Sequence, residues 1–98
     1  MSEAIRLRIE GRVQGVGYRA WLEREARSRG LRGWVRNRRD GAVEAVLAGP
    51  PDTVAAMIEA CRRGPPLSRV DAVEVFEASV DDLGQRRAAD RFSLLPTV

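Results

Sequence analysis

The chain has 98 residues, a formal net charge of +3 and an apolar fraction of 44%, which predicts one domain spanning residues 1–98. It contains no histidine and one cysteine, which excludes histidine-dependent nucleophiles, nearly all zinc sites and any internal disulfide. No apolar run is long enough to span a bilayer and the N-terminal residues lack a secretory pattern, so we expect a cytoplasmic protein.

Hydrophobic periodicity predicts the order strand, helix, strand, strand, helix, strand. Ile5, Leu7 and Ile9, for example, alternate with charged residues, which is the period-two pattern of a half-buried strand. The predicted strands cover residues 4–10, 32–37, 42–48 and about 70–78, and the helices cover 19–29 and the segment from Pro50 to the stop at Gly64. A loop is predicted over 80–91, followed by a short closing strand at Phe92, Leu94 and Leu95.

This order of elements predicts the fold class. Each strand–helix–strand crossover is expected to be right-handed, which places both helices on the same side of the sheet. We therefore expect an α+β protein with a ferredoxin-like βαββαβ sandwich, in which two helices cover one face of an antiparallel sheet. Many activities share this fold, so the fold alone does not select a function.

A glycine-rich loop lies between the first strand and the first helix. It reads Gly11-Arg12-Val13-Gln14-Gly15-Val16-Gly17-Tyr18-Arg19. Glycines in such a turn allow successive backbone N–H groups to point into one concavity, and a helix N-terminus adds partial positive charge. Arg19 adds a planar set of donors suited to two phosphate oxygens. The loop predicts a phosphoryl-binding site, although a tight turn without a ligand would have a similar composition.

Asn37 ends the second predicted strand, where its amide could offer a donor and an acceptor to a water molecule. An ordinary turn asparagine that caps the hairpin is the alternative interpretation. Three arginines, Arg36, Arg38 and Arg39, surround it. We interpret them as a solvated hairpin tip, with steering of anionic substrates as the alternative.

The two segments together resemble the paired pattern of the acylphosphatase family. The chain reads G-x-V-Q-G-V-x-Y-R over residues 11–19 and G-W-V-R-N-x-x-x-G-x-V-x-x-x-x-x-G over residues 33–49. The resemblance extends from Ile5 to Val75. Tyr18 stands where the family most often has Phe or Met, and we expect it to place a hydroxyl beside the loop.

The resemblance implies an enzyme that hydrolyses acyl phosphates to a carboxylate and inorganic phosphate, without metal or cofactor. It implies that Arg19 binds and polarises the phosphoryl group and that Asn37 positions the attacking water. The backbone amides of the loop share the binding of the phosphoryl group, and these belong to Gln14, Gly15, Val16, Gly17 and Tyr18. This chemistry needs no imidazole, because the leaving carboxylate requires no protonation.

The expected partners are a small-molecule acyl phosphate and inorganic phosphate, which acts as product and inhibitor. We expect a monomer that binds neither membranes nor nucleic acid. One alternative is an RNA-binding module, because the chain is basic, but Trp34 is the only aromatic candidate on the middle strands. A second alternative is a regulatory or carbamoyl-phosphate-processing module like those of larger hydrogenase-maturation proteins. Cys61 lies in the apolar stripe of the second helix, which favours a core role over a nucleophilic one.

Overall fold

The computed structural model describes residues 3–84 and 91–98, in which five strands form one sheet. The elements in chain order are β1 Glu3–Arg12, α1 Tyr18–Ser28, β2 Arg32–Asn37, β3 Val43–Gly49, α2 Pro51–Arg63, β4 Arg69–Glu77, α3 Val80–Leu83 and β5 Phe92–Leu94. The strand order is β4-β1-β3-β2-β5, and the first four strands pair antiparallel. This architecture confirms the predicted ferredoxin-like α+β fold.

The alternation along β1 separates the two faces of the sheet. Leu7 and Ile9 are fully buried in a core cluster that also contains residues of both long helices. Each of these helices buries an apolar stripe with helical spacing: Tyr18, Leu22 and Ala26 in α1, and Val54, Met57, Ala60 and Cys61 in α2. Burial of these stripes is the main force that holds α1 and α2 on the same face of the sheet, as predicted.

Charged residues occupy much of the opposite face. Arg6 and Arg8 point there from β1, and Glu44 of β3 lies between them and β2. A second, smaller apolar cluster on this face contains Trp34, Val46 and Leu95, with Leu83 of α3 packed against it. The predicted loop over 80–91 therefore begins as a short helix, and its residues 85–90 lie outside the described residues.

The closing strand β5 pairs with β2 in the parallel direction, with Gly33 opposite Phe92. The backbone continues along β2 after β5 ends. Leu95 N donates to Val35 O at 2.9 Å, and Val98 N donates to Asn37 O at 3.2 Å. The sheet is thus antiparallel across four strands and has a parallel fifth strand at its edge, which brings the C-terminal residues to the β2–β3 hairpin. None of the helices in residues 3–84 and 91–98 is long and apolar enough to cross a membrane.

Candidate active site

The sheet topology brings the ends of β1 and β2 together. Both strands flank β3 and are antiparallel to it, so they run parallel to each other and their C-terminal ends lie at the same edge of the sheet. The register shows that the two strand ends are level, because Val43 pairs with Ile9 on one side and with Asn37 on the other. The loop that follows β1 and the hairpin that follows β2 are therefore neighbours.

A cavity of about 190 Å³ opens between this loop and the hairpin. It is lined by residues 13–15 and 17–20, together with Asn37 and Leu94. The two candidate side chains, Arg19 and Asn37, therefore line the same cavity. Such a volume suits a small group like a phosphoryl moiety.

The loop presents backbone N–H groups for which residues 3–84 and 91–98 provide no backbone acceptor. Gly15 has a φ of 75°, and Gly17 adopts the left-handed conformation immediately before α1. No side chain caps the N-terminus of α1, and its first turn holds no acidic residue. Within the part of the chain that the structure describes, none of the N–H groups of residues 14–18 donates to a backbone carbonyl. These donors and the positive end of the helix dipole are suited to an anion.

Arg19 is the second residue of α1 and is half-buried. It forms no ion pair with any carboxylate of residues 3–84 or 91–98. Its guanidinium therefore leaves one uncompensated positive charge beside the loop. A planar guanidinium in this position can bind two oxygens of a phosphoryl group.

Asn37 has an unusual hydrogen-bond state. Its Oδ1 atom is buried but accepts no hydrogen bond from any described residue. A buried acceptor without a partner costs about 1–3 kcal/mol, and native proteins contain few of them. Asn37 thus brings to the cavity wall an amide whose oxygen has no donor among the described residues.

The side chains of two loop residues, Val16 and Tyr18, pack in or against the core, and only that of Tyr18 departs from the prediction. The side chain of Val16 packs against the core, and Val16 does not line the cavity. Tyr18 lines the cavity, but its hydroxyl does not lie beside the loop as predicted. That hydroxyl is buried in the core and donates to Cys61 O at 2.7 Å. Burial raises the pKa of Tyr18 above its ordinary value, so the hydroxyl remains a donor.

Gln14 has a second contact that the loop pattern does not reveal. Its side-chain nitrogen Nε2 donates to Arg38 O at 2.7 Å and to Ala42 O at 2.8 Å, both in the β2–β3 hairpin. Leu94 is a further residue that the sequence did not identify as part of the site. Its place in the cavity wall depends on the parallel pairing of β5, for which periodicity provides no signal.

The arginines around Asn37 do not form a simple solvated tip. Arg36 Nε lies 2.8 Å from Glu44 Oε1, and its side chain is only 15% exposed. Arg38 Nη1 contacts the same carboxylate oxygen at 3.3 Å. The interpretation as a solvated hairpin tip is therefore wrong for Arg36, which Glu44 holds against the sheet. Arg38, with a side chain that is 38% exposed, and the exposed Arg39 agree with it.

No cluster suited to a metal ion is found in the described ranges, 3–84 and 91–98, since no three His, Cys, Asp or Glu side chains there lie close enough together. Cys61 is fully buried. Burial raises the pKa of its thiol to about 12. A thiol in this state is a poor nucleophile at neutral pH. Trp34 is 1% exposed, so its ring is not accessible for stacking on a nucleobase.

The chain is similar to known proteins both in sequence and in structure. The profile of the acylphosphatase family matches residues 5–93. An acylphosphatase of Bradyrhizobium diazoefficiens is 61% identical over 99 residues, which cover 100% of this chain and 100% of that protein. The crystal structure of acylphosphatase from Bacillus subtilis is similar with a TM-score of 0.81 and 38% identity, covering 97% of this chain and 99% of that chain. Full-length HypF, crystallised in a phosphate- and nucleotide-bound form, is similar with a TM-score of 0.83 and 25% identity, but only 12% of that chain is covered.

Proposed function

The chain belongs to the acylphosphatase family and is an enzyme that hydrolyses acyl phosphates, and we propose that Arg19 and Asn37 are its two catalytic residues. The observation that carries this proposal is their shared cavity, which is lined by the half-buried Arg19, by the loop and by Asn37, whose amide oxygen has no donor among the described residues. Arg19 and the backbone amides of residues 14–18 hold the phosphoryl group. Asn37 holds the attacking water.

The reaction follows from these positions. The water oxygen attacks phosphorus, and the bond between phosphorus and the carboxylate oxygen breaks, which yields a carboxylate and inorganic phosphate. The carboxylate leaves without a proton, because its parent acid has a pKa of about 4. The phosphoryl group itself accepts the proton that the water loses. Charge on the equatorial oxygens is stabilised by Arg19 and the amides, so catalysis consists of positioning and electrostatics.

We propose that turnover requires no metal ion. The guanidinium of Arg19 and the loop amides supply the positive charge that a metal would otherwise contribute at the phosphoryl oxygens. The test is hydrolysis of benzoyl phosphate by the purified chain in excess chelator. We expect turnover to persist and inorganic phosphate to inhibit competitively, since it occupies the same loop. Loss of turnover on chelation would contradict the mechanism.

Substitutions separate the roles of the two residues. Arg19→Ala should raise KM and lower kcat, because the guanidinium contacts the phosphoryl group in the ground state and in the transition state. Asn37→Ala should lower kcat by about 100-fold or more while the inhibition constant of phosphate changes little. Arg24→Ala is the matched control, since Arg24 is an exposed arginine of the same helix that does not line the cavity. Near-normal kcat in Asn37→Ala would remove the water-positioning role.

A further inference from the structure

The side chain of Gln14 joins the glycine-rich loop of residues 11–19, here called the phosphate loop, to the hairpin that carries Asn37. Its Nε2 atom lies 2.7 Å from Arg38 O and 2.8 Å from Ala42 O. Carbonyl oxygens only accept hydrogen bonds, so the amide must turn its nitrogen towards both of them. Each of the two N–H groups of one amide thus has its own acceptor.

The two acceptors stand at the two ends of the hairpin loop. Arg38 directly follows Asn37, and Ala42 directly precedes Val43, the residue paired with Asn37 across the sheet. Arg38 N also donates to Ala42 O at 2.8 Å, which closes the loop on itself. Gln14 therefore binds the base of the hairpin one residue beyond Asn37, from a position inside the phosphate loop.

We propose that the Gln14 side chain is a positioning residue that sets the location of Asn37 relative to the phosphoryl group. The inference rests on the proposed roles of Asn37 and of the loop and deepens them. Attack on phosphorus requires the water to be aligned, and a displacement of about 1 Å can cost about 100-fold in rate. The two hydrogen bonds add a direct link between the loop and the hairpin to the connection that the paired strands already provide.

The amide is chemically specific for this task. A carboxylate of the same shape has two acceptors and no donor, so it would face two carbonyl oxygens with its negative charge. A methionine has similar length but neither donor nor charge. Gln14→Glu and Gln14→Met therefore remove both hydrogen bonds in different ways, and the second variant preserves the test where the first fails to fold.

The kinetic test distinguishes a change in the position of Asn37 from damage to the phosphate loop. We expect both Gln14 variants to lower kcat for benzoyl phosphate by about 10- to 100-fold. The inhibition constant of inorganic phosphate should change by less than about threefold, because the backbone amides and Arg19 remain. If KM and the phosphate inhibition constant rise in proportion to the loss of kcat, the side chain supports phosphate binding by the loop and the inference is overturned.

A double-mutant cycle tests whether Gln14 acts through Asn37. In the Asn37→Ala background, Gln14→Glu and Gln14→Met should lower kcat no further, because there is no longer an amide to position. Full additivity of the two effects would overturn the inference and leave the role of Asn37 intact. Normal kcat in Asn37→Ala alone would instead remove the proposed role of Asn37.

The pH dependence gives a signature that a general loss of packing would not produce. Two facing carbonyl oxygens disfavour the charged carboxylate of Gln14→Glu and so raise its pKa above the ordinary value of about 4.3. When protonated, this side chain regains one donor. The kcat of Gln14→Glu relative to the unmodified chain should rise as the pH falls through that pKa, whereas the relative kcat of Gln14→Met should stay constant. Parallel pH profiles for both variants would count against the inference.

Discussion

Replacing Tyr18 by phenylalanine removes a core hydroxyl that donates to Cys61 O at 2.7 Å. That carbonyl lies in the last turn of α2, which ends at Arg63. The residue four positions after Cys61 is Pro65, which has no N–H group and cannot supply the usual helical hydrogen bond. The Tyr18 hydroxyl therefore satisfies a carbonyl that the helix itself leaves without a partner.

The expected cost follows from this unpaired acceptor. A buried carbonyl that loses its donor costs about 1–3 kcal/mol in the free energy of unfolding. For a domain of 60–100 residues, each kcal/mol corresponds to a decrease in Tm of about 4–8 °C. We expect Tyr18→Phe to be destabilised within this range, with little contribution from lost volume because only one oxygen is removed.

Urea denaturation followed by circular dichroism measures this cost. Ser28→Ala is the matched control, because Ser28 Oγ also donates to a carbonyl near a helix C-terminus, that of Glu25 at 2.9 Å, but at the exposed surface. We expect the control to change the free energy of unfolding by less than about 0.5 kcal/mol. Equal, small effects of Tyr18→Phe and Ser28→Ala would refute the reasoning.

Two further predictions concern titratable groups. Burial raises the pKa of the Cys61 thiol to about 12. A disulfide reagent at about pH 8 should therefore label this thiol only in denaturant. Rapid labelling of the native chain would contradict the burial of Cys61. The backbone N–H of Ala42 and the guanidinium of Arg8 hold the pKa of Asp40 below its usual value, so its stabilising contribution exists above about pH 4 and is lost as the pH falls through the folded pKa. Urea midpoints of Asp40→Ala and the unmodified chain should therefore differ at about pH 6 and converge in acid, and a constant difference would refute the assignment.

The regular elements were predictable from the sequence because their periodicity is strong. β2 has the predicted bounds of residues 32–37, and α1 differs from its predicted range by one residue at each end. The parallel pairing of β5 was not predictable, since a three-residue strand does not encode its partner. α3 was hidden in a polar segment, although Ser79 and Asp82 exchange the two hydrogen bonds of a capping box and could have indicated a helix start.

The position of the Tyr18 hydroxyl in the core could have been inferred from the sequence. Tyr18, Leu22 and Ala26 are spaced four residues apart, and this spacing defines the buried stripe of α1. A side chain on that stripe points into the core, so its hydroxyl needs an acceptor there and not beside the loop. The prediction treated Tyr18 as the end of a loop motif, although it is also the first residue of the helix.

The proximity of Arg19 and Asn37 follows from the sheet topology more than from the residue types. In a sheet where β1 and β2 both pair with β3, the loop after β1 and the end of β2 must meet at one edge, whatever residues they contain. The order of elements was therefore sufficient to bring the two candidates to the same edge. It was not sufficient to reveal the bonds from Gln14 to the hairpin, because a side chain that spans two loops depends on distances that only packing determines. The sequence pattern therefore defines the edge where Arg19 and Asn37 meet, and contacts such as those of Gln14, which the pattern does not encode, join the two loops there.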